Sequence, residues 1–280
     1  IEIPASVISI GEEAFGGCAF QTIEIPASVS SIGKWAFSSC DKLTSITVEE
    51  NNQNYKSIDG NLYSKDGKTL LQYPRGKTAT TFAIPEGVTS INEFAFYLCS
   101  SLQTIEIPAS VISIGEEAFS GCSFLKSIEL PASVTSIGDL AFIGCSNLAT
   151  VTFGENSQLT RIGDYAFAGC SKLSTVTFGE NSQLTSIGAE AFSDCYSLQS
   201  IEIPASVTRI GDRAFFFCNL TTIYYGGTAS DWENISIEGN KYHLTEATRY
   251  YYIENESDLP DDNGNYWHYV DGVPTVWVNN

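Results

Sequence analysis

Leu125-Lys-Ser-Ile-Glu-Leu-Pro-Ala-Ser-Val-Thr-Ser-Ile-Gly-Asp-Leu-Ala-Phe-Ile-Gly-Cys145 decides the fold of this 280-residue chain. Leu125, Ile128 and Leu130 give the alternation of a strand, with Ile128 turned inward and its neighbours outward. Pro131 cannot donate to a ladder and ends the strand. Val134 and Ile137 predict a second short strand, and Gly138 turns the chain. Asp139 to Phe142 is too short for an independent helix and predicts a single α or 3₁₀ turn. Ala141, Phe142 and Cys145 then fill the interior before the next Leu restarts the cycle.

The closing phrase is Ile-Gly or Ile-Asn, two variable residues, Ala-Phe, two more residues and Cys. It ends at Cys18, Cys40, Cys99, Cys122, Cys145, Cys170, Cys195 and Cys218, with gaps of 22, 59, 23, 23, 25, 25 and 23 residues. A fixed period of this size marks a solenoid, in which each coil buries its apolar face only against its neighbours. Phe119, Cys122, Phe142, Cys145, Phe167 and Cys170 are core on this reading. Because all the cysteines share one phase, they predict a ladder of buried free thiols rather than a disulfide framework.

Four stretches depart from the period. Gly154 to Leu159 and Gly179 to Leu184 replace the Pro-Ala-Ser-Val turn with a longer one, which places that turn at the surface. Between Ile46 and Phe82 the phrase is missing. Asn61-Leu62-Tyr63, then Lys65-Asp66-Gly67-Lys68, then Thr69-Leu70-Leu71 predict an inserted hairpin within about residues 50–80. After Tyr225 the repeat stops. Residues 226–280 hold both histidines, three of the four tryptophans, and ten acidic against two basic residues. They predict a β-rich terminal cap, with strands near Thr248–Ile253, Tyr266–Val270 and Thr275–Val278 and an Asp271-Gly272 turn. The solenoid is thus assigned to residues 1–225 and the cap to 226–280.

Thirty-three acidic residues against 14 basic give a net charge of -19, without any Lys/Arg cluster. Nucleic acid and anionic membrane surfaces are poor partners on these grounds. There is no apolar run of about 18 residues, so no membrane insertion is expected of this segment. The chain opens inside a repeat strand and contains no Met. It reads as a trimmed fragment whose signal segment and N-terminal cap lie outside it.

The phrase Ile-Pro-x-Ser-Val-x-x-Ile-Gly-x-x-Ala-Phe-x-x-Cys-x-x-Leu resembles the BspA-like, Treponema-type leucine-rich repeat of bacterial surface proteins over about residues 1–225. The elongated coil, with Tyr55, Asp59-Gly60, Leu62-Tyr63, Asp66 and Tyr73-Pro74, is similar to a variant repeat of that family. Tyr224-Tyr225-Gly226-Gly227-Thr228 and Tyr266-Trp267-His268-Tyr269 resemble the terminal segment of such proteins in gut anaerobes. The resemblance implies a secreted or cell-surface location, a role in adhesion or protein binding, and no catalytic residues.

Candidate ligand positions stand in outward columns. The first runs Thr22, Ser45, Thr81, Thr104, Ser127, Thr150, Thr175, Ser200 and Thr222, hydroxyls suited to bonding along the ladder. The second includes Glu106, Glu129, Glu202 and Tyr224. Glu106 beside Glu129 sets like charges about 5 Å apart, either a site for a basic partner or a solvated acidic face. The third, just before Ala-Phe, is Glu13, Trp35, Phe94, Glu117, Leu140, Tyr165, Glu190 and Arg213. Trp35 and Phe94 flank the insertion. Either the hairpin folds down over them or they form an exposed aromatic patch. Phe216 and Phe217 are expected to dock the cap.

Catalytic motifs such as His-Glu-x-x-His, Gly-x-Ser-x-Gly or a phosphate-binding Gly-rich loop do not occur. Asp261-x-Asn263-x-Asn265 resembles the start of a calcium loop, but Gly264 and the missing terminal Glu favour an ordinary turn. No cofactor and no metal is expected. The fold expected is a right-handed α/β leucine-rich-repeat solenoid with a concave parallel sheet, short second strands and single α or 3₁₀ turns. The function expected is non-enzymatic recognition of a host or matrix protein, or a glycan, outside the cell. A structural stalk and a polysaccharide-active enzyme are the alternatives.

Overall fold

A computed structural model describes residues 1–262 and 264–277. It is a leucine-rich-repeat solenoid built from two strands per coil. The long strands carry the Leu-x-x-Ile-x-Leu signature and include Ser127–Leu130, Thr150–Phe153 and Thr175–Phe178, paired in parallel with Ile128, Val151 and Val176 in register. The short strands, such as Ser113–Ile114, Ser136–Ile137 and Arg161–Ile162, also pair in parallel and belong to one ten-stranded sheet. The long-strand face is interrupted. It divides into four ladders, with breaks at the insertion, between the strands of Glu106 and Glu129, and between Thr175–Phe178 and Ser200–Ile203.

The expected single α or 3₁₀ turn does not form in any described repeat; the phrase is a run of hydrogen-bonded turns instead. The physical reason is a left-handed residue at the variable position before Ala-Phe. Glu13, Trp35, Phe94, Glu117, Leu140, Tyr165, Glu190 and Arg213 all have φ between 49° and 59°. A helix cannot run through such a residue. The residue before Cys is left-handed too, as at Gly144 (φ 71°), so turns close from Leu140 O to Ile143 N–H and from Phe142 O to Cys145 N–H. This geometry frees alternate N–H groups for the next coil. Those of Leu140, Phe142 and Gly144 donate to the carbonyls of Asp164, Ala166 and Ala168 at 2.7–2.8 Å.

Side chains repeat this ladder inside. Phe96, Phe119, Phe142, Phe167, Phe192 and Phe215 stack within 8° of parallel, with ring centroids 4.8–5.4 Å apart. All eight cysteines are free, and all but Cys18 are buried. Each buried thiol donates backwards, as Cys122 does to Phe96 O at 3.1 Å and Cys145 to Phe119 O at 3.2 Å. Burial pushes the Cys99, Cys122 and Cys145 thiols well above their usual range. The serine of Pro-Ala-Ser-Val bonds between coils in the same way: Ser133 Oγ donates to Val111 O at 2.6 Å.

The glycine of Ile-Gly is required by close approach. A Cβ on Gly138 would lie 2.6 Å from the Glu116 nitrogen of the preceding coil. Two positions escape this constraint. Gly11, in the first coil, has nothing within 4 Å. Asn92 stands in for Gly where the preceding, elongated coil lacks the phrase.

The insertion contains two hairpins, Tyr55–Ile58 with Asn61–Ser64 and Asn61–Ser64 with Thr69–Gln72; the last strand then joins the short-strand sheet beside Ser90–Ile91. Its middle strand faces two cores. Leu62 is buried with the first two coils, and Tyr63 with all that follow. Tyr73 takes the rung left by the missing phrase: its ring lies 5.3 Å from Phe96, and its N–H donates to Ala95 O.

Beyond Tyr225 the ladder continues through one atypical coil. Short helices Ala229–Glu233 and Tyr242–Glu246 replace the two turns, Ser236–Ile237 pairs with Arg209–Ile210, and Thr248–Tyr252 pairs with Thr222–Tyr225. Tyr266–Val270 follows, closed by an antiparallel hairpin onto Val273–Val276 at the expected Asp271-Gly272 turn. Val278 and Asn263 lie outside the described residues.

Two outcomes test this packing. Gly138→Ala is expected to lower stability by about 1–3 kcal/mol through backbone overpacking, while Gly11→Ala stays within a few tenths of wild type, measured by urea unfolding. In the native protein a water-soluble thiol reagent should label Cys18 first and leave the seven buried thiols unreacted until denaturant is added.

Candidate functional site

The outward columns fall where the spacing places them, but with different roles. The Ser/Thr column makes no inter-coil side-chain bonds among the described residues. Those bonds come from the residues flanking it, such as Thr44 Oγ1 to Gln21 O at 3.1 Å and Ser174 Oγ to Ala149 O at 3.3 Å. Glu106 and Glu129 are both exposed and line a shallow 340 Å³ gap at a break in the long-strand face. Tyr165 is 38% exposed, and its hydroxyl donates to Glu190 Oε1 at 3.1 Å, holding it along the turn column.

Trp35 and Phe94 do not form an open patch; they meet each other, with the insertion alongside. The elongated coil has no turn phrase, so its two neighbours face each other across a missing rung. The Trp35 and Phe94 rings meet there with centroids 4.9 Å apart, and a Lys34–Glu93 ion pair at 2.8 Å spans the same gap. Phe94 is 7% exposed, and the insertion lines the same pocket as the pair through Tyr55, Leu62, Leu71 and Gln72. The left-handed backbone that turns this column outward elsewhere here aims two large rings into a void left by the sequence.

The most differentiated chemistry lies where the last regular coils meet the cap. Glu202 sits on the strand Ser200–Ile203, in register with Tyr224, which is in register with Tyr250. Period-2 alternation leaves Glu202 on the outward face, yet it is only 8% exposed. The cover is Tyr269, whose hydroxyl reaches back 67 residues to donate to Glu202 Oε1 at 2.6 Å. Tyr269 is carried by the strand Tyr266–Val270. The fully buried Trp267 anchors that strand, donating from Nε1 to Tyr225 O at 2.8 Å.

Around Trp267 the aromatic rings form one cluster. Tyr224, Tyr252 and Tyr269 lie 5.5, 5.1 and 4.9 Å from it, centroid to centroid. Glu180, Glu202 and Glu254 join Tyr252, Trp267 and Tyr269 around a 480 Å³ cleft. Burial pushes the Glu202 carboxyl up to about 7, opposed by the hydrogen bond from Tyr269. Burial and the Glu202 charge in turn push the Tyr269 hydroxyl up. A carboxyl poised near neutrality beside tyrosine faces can bind a cation or accept hydrogen bonds.

Among the sequence candidates, the structure brings together Glu202 and Tyr224 and leaves Glu106, Glu129, Trp35, Phe94 and Tyr165 elsewhere. Sequence reasoning missed Glu180, Tyr252, Glu254, Trp267 and Tyr269 as site residues. The available signal was the acidic, aromatic composition of the tail, which marked the region without its partners in the solenoid.

The chain matches the BspA type leucine-rich repeat region in six copies over residues 1–69, 75–183 and 123–243. It belongs to the BspA-type leucine-rich-repeat family. A leucine-rich cell surface protein from Faecalibacterium prausnitzii is 35% identical over 85% of this chain and 56% of its own, with a TM-score of 0.61. A leucine-rich repeat protein from Eubacterium ventriosum is 31% identical over 79% of this chain and 65% of its own, with a TM-score of 0.66. The pneumococcal vaccine antigen PcpA, at 24% identity and a TM-score of 0.64, covers 83% of this chain and 59% of its own, and shares the fold. The chain thus spans 56–65% of the length of these relatives. No curated protein matches the sequence significantly. The BspA-type chain is a repeat protein of a class that serves binding or surface roles, and no helix among its described residues is long and apolar enough to cross a membrane.

The raised Glu202 carboxyl makes stability depend on pH. Its ordinary value is 4.5 and its folded value about 7, so the native state binds this proton more tightly than the unfolded chain. The contribution is full below pH 4.5, fades as pH rises through 7 and is absent above it. Relative to wild type, Glu202→Gln should be near neutral at low pH. At pH near 8.5 it should be more stable by up to about 3 kcal/mol, as read by chemical unfolding at the two pH values.

Proposed function

We propose that this chain is a non-enzymatic recognition module displayed at or beyond a bacterial surface, acting in adhesion or protein binding. A host or matrix protein, or a glycan, is the partner. Family membership and the likeness to a bacterial cell surface protein support the location. The observation that carries the recognition reading is the 480 Å³ cleft at the cap junction, which aromatic faces and carboxylates line together. A preformed cleft on a rigid ladder needs little ordering on binding.

The purified chain, immobilised and screened against matrix proteins and a glycan array, is expected to capture a partner. Tyr252→Ala with Glu254→Ala should weaken that capture about tenfold or more, the scale of a lost contact cluster at an interface centre. Glu106→Lys with Glu129→Lys should leave it within twofold, with circular dichroism confirming the fold of each variant. Capture governed by the Glu106 pair would move the site to the long-strand face. An absence of capture from both panels would favour a spacer that carries another domain.

A further inference from the structure

We propose that the cap-junction cleft is a receptor for an alkylammonium group, the end of a lysine side chain on a protein partner, held by Glu202 against the rings of Tyr252 and Tyr269. This rests on the recognition reading above and names its ligand chemistry.

Three features point to a cation. Glu180, Glu202 and Glu254 line the cleft, and no Lys, Arg or His does so among the described residues. Glu202 is more than nine-tenths buried; its Oε1 accepts from Tyr269, and its Oε2, which no described donor meets and which is not among the orphaned buried atoms, keeps its contact with the cleft solvent. A carboxylate this poorly hydrated gains more from a charged donor at its remaining oxygen than a fully solvated one does. Tyrosine faces carry negative potential and favour an ammonium above them. The 480 Å³ volume leaves room for the tetramethylene stem along the aromatic wall as well as for the charge.

The arrangement ties capture to pH. The groups around Glu202 are Tyr269 and Trp267 from the strand Tyr266–Val270, Tyr224 alongside it, Tyr252 and Glu254 from the end of Thr248–Tyr252, and Glu180 from the preceding coil. His268 lies between Trp267 and Tyr269 but stacks on Trp277 at 3.7 Å, away from the cleft. Burial leaves the Glu202 carboxyl about 7 in the free protein. Only the ionised form receives an ammonium, so apparent affinity follows the ionised fraction. A lysine ammonium stays charged throughout the same range.

The test is isothermal titration of the whole chain with a lysine-rich peptide at physiological salt, at pH 6 and pH 8, beside an uncharged peptide of the same length, free spermidine and an oligosaccharide. Affinity for the lysine peptide should rise about tenfold between the two pH values. Glu202→Gln should reduce it and flatten that dependence, and Tyr269→Phe should move the rise to higher pH. Since Glu202→Gln is expected to stabilise the fold, its loss of binding would not reflect misfolding. Lysine-peptide binding that ignores pH or Glu202→Gln would overturn the proposal, because it would report only the general acidic charge. Spermidine binding without peptide binding would overturn the protein source of the amine. Oligosaccharide binding sensitive to Tyr252→Ala, without lysine binding, would overturn the amine receptor and leave the recognition reading standing.

Discussion

Every coil of this molecule must pass its backbone N–H groups to the carbonyls of the next. That constraint fixes the turn geometry, because only a left-handed residue before Ala-Phe, and another before Cys, point alternate amides along the solenoid axis. Holding a non-glycine residue there costs about 1–2 kcal/mol, offset by inter-coil bonds that would otherwise be missing from buried backbone. The same constraint explains the glycine after Ile, since backbones joined this tightly leave no room for a Cβ. Asn92 supports the argument: it replaces glycine where the coil before it has no turn to approach.

The ladder is broken inside the chain at the elongated coil, and its last turn phrase has no regular successor. The molecule repairs each place with side chains. At the missing rung, Tyr73 replaces one phenylalanine of the stack, and Trp35, Phe94 and the Lys34–Glu93 pair close the remaining space. At the terminal coil, His243 Nε2 accepts the Phe217 amide that would otherwise have passed to another coil. Short helices take the places of the turns, so the final strands can lay their aromatic residues back over the solenoid.

Period and phase were legible in the sequence, and with them the strand positions, the buried Phe-Cys core, the free thiols, the second inserted hairpin and the Asp271-Gly272 turn. The first of these depend on contacts at fixed sequence offsets, which a repeat displays openly; the two hairpin turns lie outside the repeat and were carried by their local Asp-Gly pairs. The turn conformation was not legible, since Glu, Trp, Leu, Tyr and Arg do not announce a positive φ. It is imposed by the neighbouring coil, not by local propensity. The fate of Trp35 and Phe94 was hidden for a related reason: what matters is the rung absent between them. The cap junction was half legible. Glu202 stood out by column, but its partner Tyr269 lies 67 residues away in a segment without repeat phase.

Glu24, Glu106, Glu129 and Glu202 hold the same position in their coils, and the first three are exposed. A periodic surface offers a partner the same chemistry at every rung and so no unique place to bind. Uniqueness requires a feature that breaks the translation. The strand Tyr266–Val270 supplies one such feature, burying one glutamate of the column beneath a tyrosine and leaving its counterparts in water. One residue type thus takes two chemical characters: a solvated carboxylate along the repeat and a carboxyl titrating near neutrality at its end. A unique surface on such a molecule therefore requires a place where the repeat stops repeating, and the regular coils hold that place on a hydrogen-bonded ladder.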